Sequence, residues 1–401
     1  MSDSWREFDL FNPTEEHKML RQTVRQFVET EVEPQAEKFD REEKFNLPLF
    51  RKLGDLGLLG ISVASAHGGS EMDATATVLV HEEIAASDPG FCLAYLAHAM
   101  LCVNNLNVNG SEAQKKRLLP DLCSGKSIGC MAMSEAQVGT DVFGMETTAV
   151  KQKDGYLING RKMWITNGTL DDQNNSADIV WLYAKTGPKK TDVSTFIVEK
   201  SFTGFSVGQK IKNKLGMRAS NTAELVFNNC FVPLENLVGK ENDSLSHMMK
   251  NLEVERLTLA AMSIGIARRS LQVMQKYASE RTSFGKTISQ FGQIQKYIAE
   301  SFAEYQAAKI YVYETARKLT TTCGSGSPLD SDGVKLVAST TAKNIADRAI
   351  QVLGGYGYVA EYVVERLWRD SKLLEIGGGT LEAHQKNICG QLSKDSSRLY
   401  D

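Results

Sequence analysis

Gln351-Val-Leu-Gly-Gly-Tyr-Gly-Tyr358 and Glu375-Ile-Gly-Gly-Gly-Thr-Leu-Glu382 are the stretches on which the reading of this chain turns. Glycines beside a helix end let backbone come close to a diphosphate or a ribose, and a helix N-terminus favours the negative charge. Alone, such runs also fit a plain flexible loop. Far upstream, Asn251-Leu-Glu-Val-Glu-Arg256 sets two carboxylates and a guanidinium into a stretch of helical periodicity. Residues two apart on a helix point about 200° apart, so Glu253 and Glu255 are expected to face different surroundings.

The chain has 401 residues and a net charge of −3 at neutral pH. That length accommodates two or three domains, and the charge favours neither nucleic acid nor an acidic membrane surface. Cys92, Cys102, Cys123, Cys130, Cys230, Cys323 and Cys389 are scattered without a CxxC pair and read as reduced core thiols. The histidines are equally dispersed, so no metal site is expected. The N-terminus is acidic, without the apolar stretch of a secretory signal or the Arg-rich character of a mitochondrial presequence. No run of about 18 apolar residues reads as a membrane span. The expectation is a soluble protein of the cytoplasm, or of the mitochondrial matrix in a processed form.

Residues from about 13 to 125 read as helices. Leu20, Val24, Val28 and Val32 recur at every fourth position within a predicted helix from Glu15 to Phe39, with Phe27 on the same face. Asp88-Pro89-Gly90 breaks the chain before an apolar helix, and Asn109-Gly110-Ser111-Glu112 ends one helix and caps the next. From Gly129 to about Pro233 the apolar residues fall in short runs such as Ile179–Ala184 and Thr195–Val198, with a hairpin signal at Lys153-Asp154-Gly155. Helical periodicity resumes near Leu245, with one loop at Cys323-Gly-Ser-Gly-Ser-Pro328. Two helical layers flanking a β domain are expected.

No strand is followed by GxGxxG, no Walker A loop is present, and no Ser-His-Asp set can be assembled; Gly68-Gly69 reads as part of a loop. Met131-Ala-Met-Ser-Glu-Ala-Gln-Val-Gly-Thr-Asp141 runs a strand into a glycine turn. Its amides and hydroxyls suit the polar edge of a flat ring, although a simple strand and turn would look the same. Trp164-Ile-Thr-Asn-Gly168 offers an aromatic shield and a hydroxyl, or a plain core tryptophan. Within Glu280-Arg-Thr-Ser-Phe-Gly-Lys286, the fork of Arg281 suits two phosphate oxygens. Arg218, within Lys214–Thr222, reads as a surface charge.

In order and spacing these segments resemble the acyl-CoA dehydrogenases over nearly the whole chain. The resemblance implies an α+β fold with an N-terminal helical domain (1–128), a middle β-barrel or sandwich domain (129–238) and a C-terminal four-helix bundle (239–401). It implies non-covalent FAD contacted by Met131, Met133, Ser134, Gly139, Thr140, Trp164, Ile165 and Thr166, with Arg281 and Phe284 at the pyrophosphate. Gln351, Val352, Leu353, Gly354 and Gly355, with Thr380 and Glu382, would serve the flavin of a neighbouring subunit, hence a homotetramer. Acyl-CoA is the implied substrate and electron-transferring flavoprotein the implied electron acceptor. Three departures stand out. Ala136 and Val138 replace a proline and an alanine of the family's first signature, and Gly292 stands where the family has a glutamine that Gln293 and Gln295 do not replace.

The third departure bears on the chemistry. Most members carry their catalytic glutamate in Tyr-Glu-Gly-Thr, but this chain has Gly377-Gly378-Gly379-Thr380. Leu252-Glu-Val-Glu-Arg256 is similar to the Leu-Asp-Leu-Glu-Arg of the isovaleryl-CoA branch, which puts the α-proton base at Glu255 while the β-hydrogen leaves as hydride to flavin N5. Leu93–Cys102 and Gly139–Gly168 carry further likeness to that branch. Thr140, Glu253, Arg256, Gly377, Gly378 and Gly379 are the implied substrate contacts. The glycines would leave room for a branch methyl, which favours isovaleryl-CoA, an intermediate of leucine catabolism. A cyclic, aromatic or isoprenoid acyl group fits the same space, and a non-dehydrogenating flavoprotein or binding protein would share the fold. A glutaryl group is disfavoured, because Leu93–Cys102 has no arginine for its distal carboxylate.

Overall fold

The computed structural model describes residues 8–319 and 328–399. The predicted loop from Cys323 lies outside them up to Pro328, which opens a helix. Helix α1 (Glu15–Phe27) is capped by the Thr14 hydroxyl, which accepts from the His17 N–H. It continues through a π-helical stretch at Val28–Val32 into α2 (Glu33–Glu42), so the predicted helix is unbroken but widens midway. Val24, Val28 and Val32 are buried, as their spacing requires.

After α3 (Leu47–Asp55) comes α4 (Ala74–Ala85), whose residues are all buried. Asp88 caps α5 (Pro89–His98) by accepting from the Phe91 N–H at 3.0 Å. Next come α6 (Asn105–Asn109) and α7 (Glu112–Cys123), the latter opened by a Ser111/Gln114 capping box. One stretch bears on the expectation that nothing spans a membrane. Pro89–Asn109 is long and apolar enough to cross a membrane, but 83% of its most apolar window is buried inside the protein. It is a core helix.

The strands form one mixed sheet. In chain order they are β1 (Gly129–Ala132), β2 (Thr148–Lys151), β3 (Gly155–Thr166), β4 (Ile179–Lys185), β5 (Val193–Glu199), β6 (Phe205–Lys210), β7 (Thr222–Pro233) and β8 (Leu237–Val238). Their spatial order is β6-β7-β3-β2-β4-β5-β8, with β1 pairing β4 in parallel. Alternation along β4 divides two cores: Trp181 and Tyr183 pack with Leu119 and Leu122 of α7, while Val180, Leu182 and Ala184 pack with β3 and β7. Both faces are therefore covered, which is why β4 reads as a continuous apolar run.

The C-terminal part holds α8 (Ser244–Glu280), a short hairpin β9 (Thr282–Ser283) and β10 (Lys286–Thr287), α9 (Gly292–Lys318), α10 (Pro328–Leu353), α11 (Val364–Leu374) and α12 (Leu381–Leu392). The expectation of helical layers on either side of the sheet needs revision. The two helical parts share one apolar core, with Val80 and Ile84 of α4 and Ala94 of α5 packed together with Leu257, Ala261 and Ile264 of α8. A helix apolar on every side, such as α4, must be covered on every side. Arg268 of α8 adds charge pairing, at 3.2 Å from Glu82 and 2.7 Å from Glu83. Cys92, Cys102, Cys123, Cys130 and Cys230 are buried thiols, whereas Cys389 is exposed, against the expectation of a core position.

Candidate active site

Glu255 sits in the first half of α8 and is 8% exposed. Burial dominates its titration and pushes the carboxyl up to about 7, against the opposing pull of Arg256 and Lys335. Lys335 projects from α10, is fully buried and donates to the Leu374 carbonyl. Burial lowers its own pKa to about 8. A buried carboxyl that titrates near neutrality, beside a cation, has the properties of a general base.

The glycines meet this carboxyl. A Cβ placed on Gly378 would lie 3.4 Å from Glu255 Oε1 and 2.3 Å from Leu259 Cδ1. Gly378 and Gly379 have φ of +66° and +103°, so a larger residue is opposed by backbone as well as by space. A Cβ on Gly377 would meet Leu373 first, at ordinary contact distance. Thr380 caps α12 by accepting from the Ala383 N–H at 3.3 Å, and Glu382 is exposed in its first turn.

Glu253 is also buried, and burial pushes it up to about 7 as well. Its charged neighbours are Arg256, Asp332 and Lys250, while those of Glu255 are Arg256 and Lys335, so the two do face different surroundings. Arg256 Nη1 pairs with Asp332 at 3.1 Å. Asp332 in turn lies 2.6 Å from His384 Nδ1, and His384 Nε2 lies 3.0 Å from the Gly379 carbonyl.

A second group gathers on the middle sheet. Lys162 is wholly buried, bonding the Met133 carbonyl and Glu135, both at 2.9 Å. Glu135 also accepts from the N–H groups of Glu146 (2.7 Å) and Thr147 (3.0 Å), and the Met163 N–H bonds the Ser134 carbonyl at 2.9 Å. This fixes the turn that leads to Gly139 and Thr140, both exposed. Trp164 is not a core residue. The β3–β7 register slips between Lys162 and Ile165, Trp164 takes φ +61°, and its side chain stands 53% exposed. Ile165 beside it is buried, and Thr166 is half-buried. Asn251 on α8 reaches Met131 Sδ at 3.6 Å, tying this group to the helix of Glu255.

The remaining predicted residues lie apart from these. Arg281, Val352, Leu353, Gly354 and Gly355 line a depression of about 570 Å³ that includes none of the middle-sheet residues. Gln351 is exposed near it, and the side chains of Val352 and Leu353 are buried in a small core with Met274 and Val364. Phe284, at the tip of the β9–β10 hairpin with φ +49°, is 94% exposed. Gly292 opens α9 in free space, with Gln293 and Gln295 exposed beside it. A cavity of about 710 Å³ between α2, α8 and α11 excludes Glu255. Its charges pair with one another, as in Arg269–Glu33 (2.6 Å) and Arg369–Asp40 (2.7 Å). Among the described residues no cluster of histidine, cysteine or acid could hold a metal.

Sequence reading missed Lys162, Glu135, Lys335, Asp332 and His384. Each is a polar residue that only packing buries, so the sequence carries no local signal that marks it.

The chain resembles known proteins along most of its length. Family models of the acyl-CoA dehydrogenase N-terminal, middle and C-terminal domains match residues 14–126, 130–230 and 243–392. The chain is 40% identical to the mitochondrial isovaleryl-CoA dehydrogenase of Arabidopsis thaliana, over 96% of this chain and 93% of the relative. It is 38% identical to a 2-methylacyl-CoA dehydrogenase of Solanum tuberosum (94% and 90% covered) and 36% to a short-chain acyl-CoA dehydrogenase of Clostridium acetobutylicum (95% and 99%). Butyryl-CoA dehydrogenase from Megasphaera elsdenii superposes with a TM-score of 0.90 at 33% identity, covering 94% and 98%. A chain from a structure described as the electron transferring flavoprotein of Acidaminococcus fermentans reaches 0.91 at 33%, covering 96% and 100%. An acyl-CoA dehydrogenase complexed with FAD, from Bacillus anthracis, reaches 0.89 at 29%, covering 96% and 68%. The chain belongs to the acyl-CoA dehydrogenase family, flavin-dependent oxidoreductases that use FAD and act on acyl-CoA.

Proposed function

We propose that this enzyme removes two hydrogens from a short branched-chain acyl-CoA, isovaleryl-CoA first, giving the 2-enoyl-CoA, with Glu255 as the α-proton base. The observation that carries this is the Glu255 carboxyl lying beside Gly378, where any side chain would press on Leu259 and stand against the carboxyl. A base must stand free of bulk where the α-carbon is presented, and a glycine there sets no side chain against it. The likeness to isovaleryl-CoA dehydrogenases supports the same substrate.

The residues present suit a flavin. Gly139, Gly285, Gly354 and Gly355 each have free space where a Cβ would stand, and Trp164 presents its ring outward. Met131, Met133, Ser134, Gly139, Thr140, Trp164, Ile165 and Thr166 would hold the ring system, and Arg281 a phosphate. Bound FAD would supply the acceptor for the β-hydrogen as hydride. Glu255 in its ionised form takes the α-proton, and its raised pKa lets it hold that proton near neutral pH. Arg256 and Glu253 contact the CoA portion, so their charges act on binding.

The flavin is shared between subunits of a homotetramer in this reading. Support comes from the separation of the Arg281 depression from the middle-sheet group, and from Phe284, an aromatic ring that needs covering. Electron-transferring flavoprotein is the proposed acceptor, in keeping with the structural neighbour described by that name. A cytoplasmic setting, or a mitochondrial one as named for the plant relatives, fits this chemistry.

The test is a panel of acyl-CoA thioesters with a dye acceptor. Isovaleryl-CoA should bleach the yellow protein and give the highest kcat/KM. If octanoyl-CoA ranks first, the pocket argument is wrong; if a cyclic or aromatic acyl group does, only the substrate assignment falls.

A further inference from the structure

Three successive glycines form a costly wall for a binding pocket, because such a run loses the most backbone freedom on ordering. Gly377–Gly379 carry no side chains with which to anchor themselves. At the start of the run, the Gly377 N–H bonds the Leu373 carbonyl at 2.8 Å, which continues the end of α11. At its far end the Gly379 carbonyl meets His384 Nε2 at 3.0 Å. His384 is fully buried, and its other nitrogen meets Asp332 at 2.6 Å. Each ring nitrogen thus faces an oxygen of a neighbouring element, so the imidazole bridges the loop and α10. Asp332, 1% exposed, also takes Arg256 Nη1 at 3.1 Å and Asn387 Nδ2 at 3.3 Å. Arg256 adjoins Glu255 on α8. A Cβ on Gly379 would lie 2.9 Å from His384 Cε1, so ring and glycine are packed for one another.

We propose that His384 is a positioning residue that clamps the Gly379 carbonyl, and that Asp332 ties this clamp through Arg256 to the helix bearing Glu255. The register between the base and the glycine wall is thus set by buried charge rather than by the loop itself. This rests on Glu255 being the base and the glycines lining the acyl site. A histidine that merely packed α12 would affect stability alone.

The test uses the full-length holoenzyme with His384→Phe, which keeps a ring without donors, and Asp332→Asn, which keeps the volume. His384→Gln, which retains one donor, is the rescue variant. Measured are flavin content, amide exchange at residues 377–380, and kcat and KM for isovaleryl-CoA and butyryl-CoA, which differ by one methyl. Expected are wild-type flavin content and loop exchange at least about tenfold faster. The isovaleryl/butyryl kcat/KM ratio should fall at least about tenfold, within the range for one methyl group, and recover partly in His384→Gln. Unchanged loop exchange, or equal losses on both substrates, overturns the proposal. If His384→Phe does not fold, Asp332→Asn decides by the same criteria. If the wild type turns over no acyl-CoA, the functional reading falls while loop exchange still decides the clamp.

Discussion

Glu255 Oε1 lies 3.4 Å from the point at which a Cβ on Gly378 would stand, so the candidate base and the glycine loop form one site although more than a hundred residues separate them. The first consequence concerns Glu255→Gln. It keeps the shape of the side chain but cannot take a proton, so anaerobic bleaching by isovaleryl-CoA should slow by at least about a hundredfold. Flavin content should match wild type, because no residue near Trp164 or Arg281 changes. Glu253→Gln should mainly raise KM. Full bleaching speed in Glu255→Gln would mean that another group is the base.

The titration of Glu255 gives a pH dependence with a definite sign. With a pKa of about 7, the ionised fraction, and hence kcat/KM, rises through neutrality to a plateau. Lys335 pulls that pKa down, so Lys335→Met should move the midpoint upward. A carboxyl raised in the folded state favours folding below its unfolded pKa, and the benefit is lost as pH rises through the folded value. Glu255→Gln should therefore be indistinguishable in stability from wild type near pH 4 and more stable above pH 8, by about 3 kcal/mol at roughly 1.4 kcal/mol per unit. Since burial also raises Glu253 and Asp370, only the difference between variant and wild type in denaturant titrations isolates Glu255.

The turn before Thr140 depends on a buried ion pair. Lys162→Met would leave Glu135 charged and buried without its cation, and removing one partner of such a pair costs about 3–5 kcal/mol. Flavin should be lost more readily on dilution, because the Met133 carbonyl loses its donor too. The paired change Lys162→Met with Glu135→Gln should recover most of the stability. Urea midpoints and flavin retention after gel filtration measure both effects. Unaltered retention in the single variant would separate this pair from flavin binding.

Gly378 sets no side chain beside Glu255, and the branched-chain reading needs that bulk to be absent. Gly378→Ala puts a carbon where Leu259 already stands at 2.3 Å, on backbone with φ +66°. It should lower kcat/KM for isovaleryl-CoA at least about tenfold more than for butyryl-CoA, the scale of one misplaced methyl. Equal losses on the two substrates would count against the pocket reading.

Much of this architecture was legible in the sequence because local signals agreed with global packing. The valine stripe from Val24 to Val32, the break at Asp88-Pro89-Gly90 before an apolar helix, the Ser111 cap and the short strand runs all appear where their patterns require. What could not be read was relation at a distance. Periodicity makes α4 and α8 apolar but does not say that they cover each other. Trp164 read equally well as core or flavin shield, because its exposure follows from a register slip that only pairing with β7 produces. His384 and Asp332 each look like an isolated polar residue until α10 and α12 pack together.

Moving the base tests the same geometry from the other side. Glu255→Gly with Gly378→Glu would set the carboxylate where most of the family carries it. Here, however, the new Cβ meets Leu259 Cδ1 at 2.3 Å, and left-handed backbone costs a non-glycine residue about 1–2 kcal/mol. The double variant should therefore bleach at least about a hundredfold more slowly than wild type. Adding Leu259→Ala removes the clash, and the triple variant should recover at least about tenfold over the double. Its preference should shift from isovaleryl-CoA towards butyryl-CoA, because the new side chain adds bulk beside the acyl group. A double variant that regains full speed without the Leu259 change would show that the contact between Gly378 and Leu259 does not constrain the site.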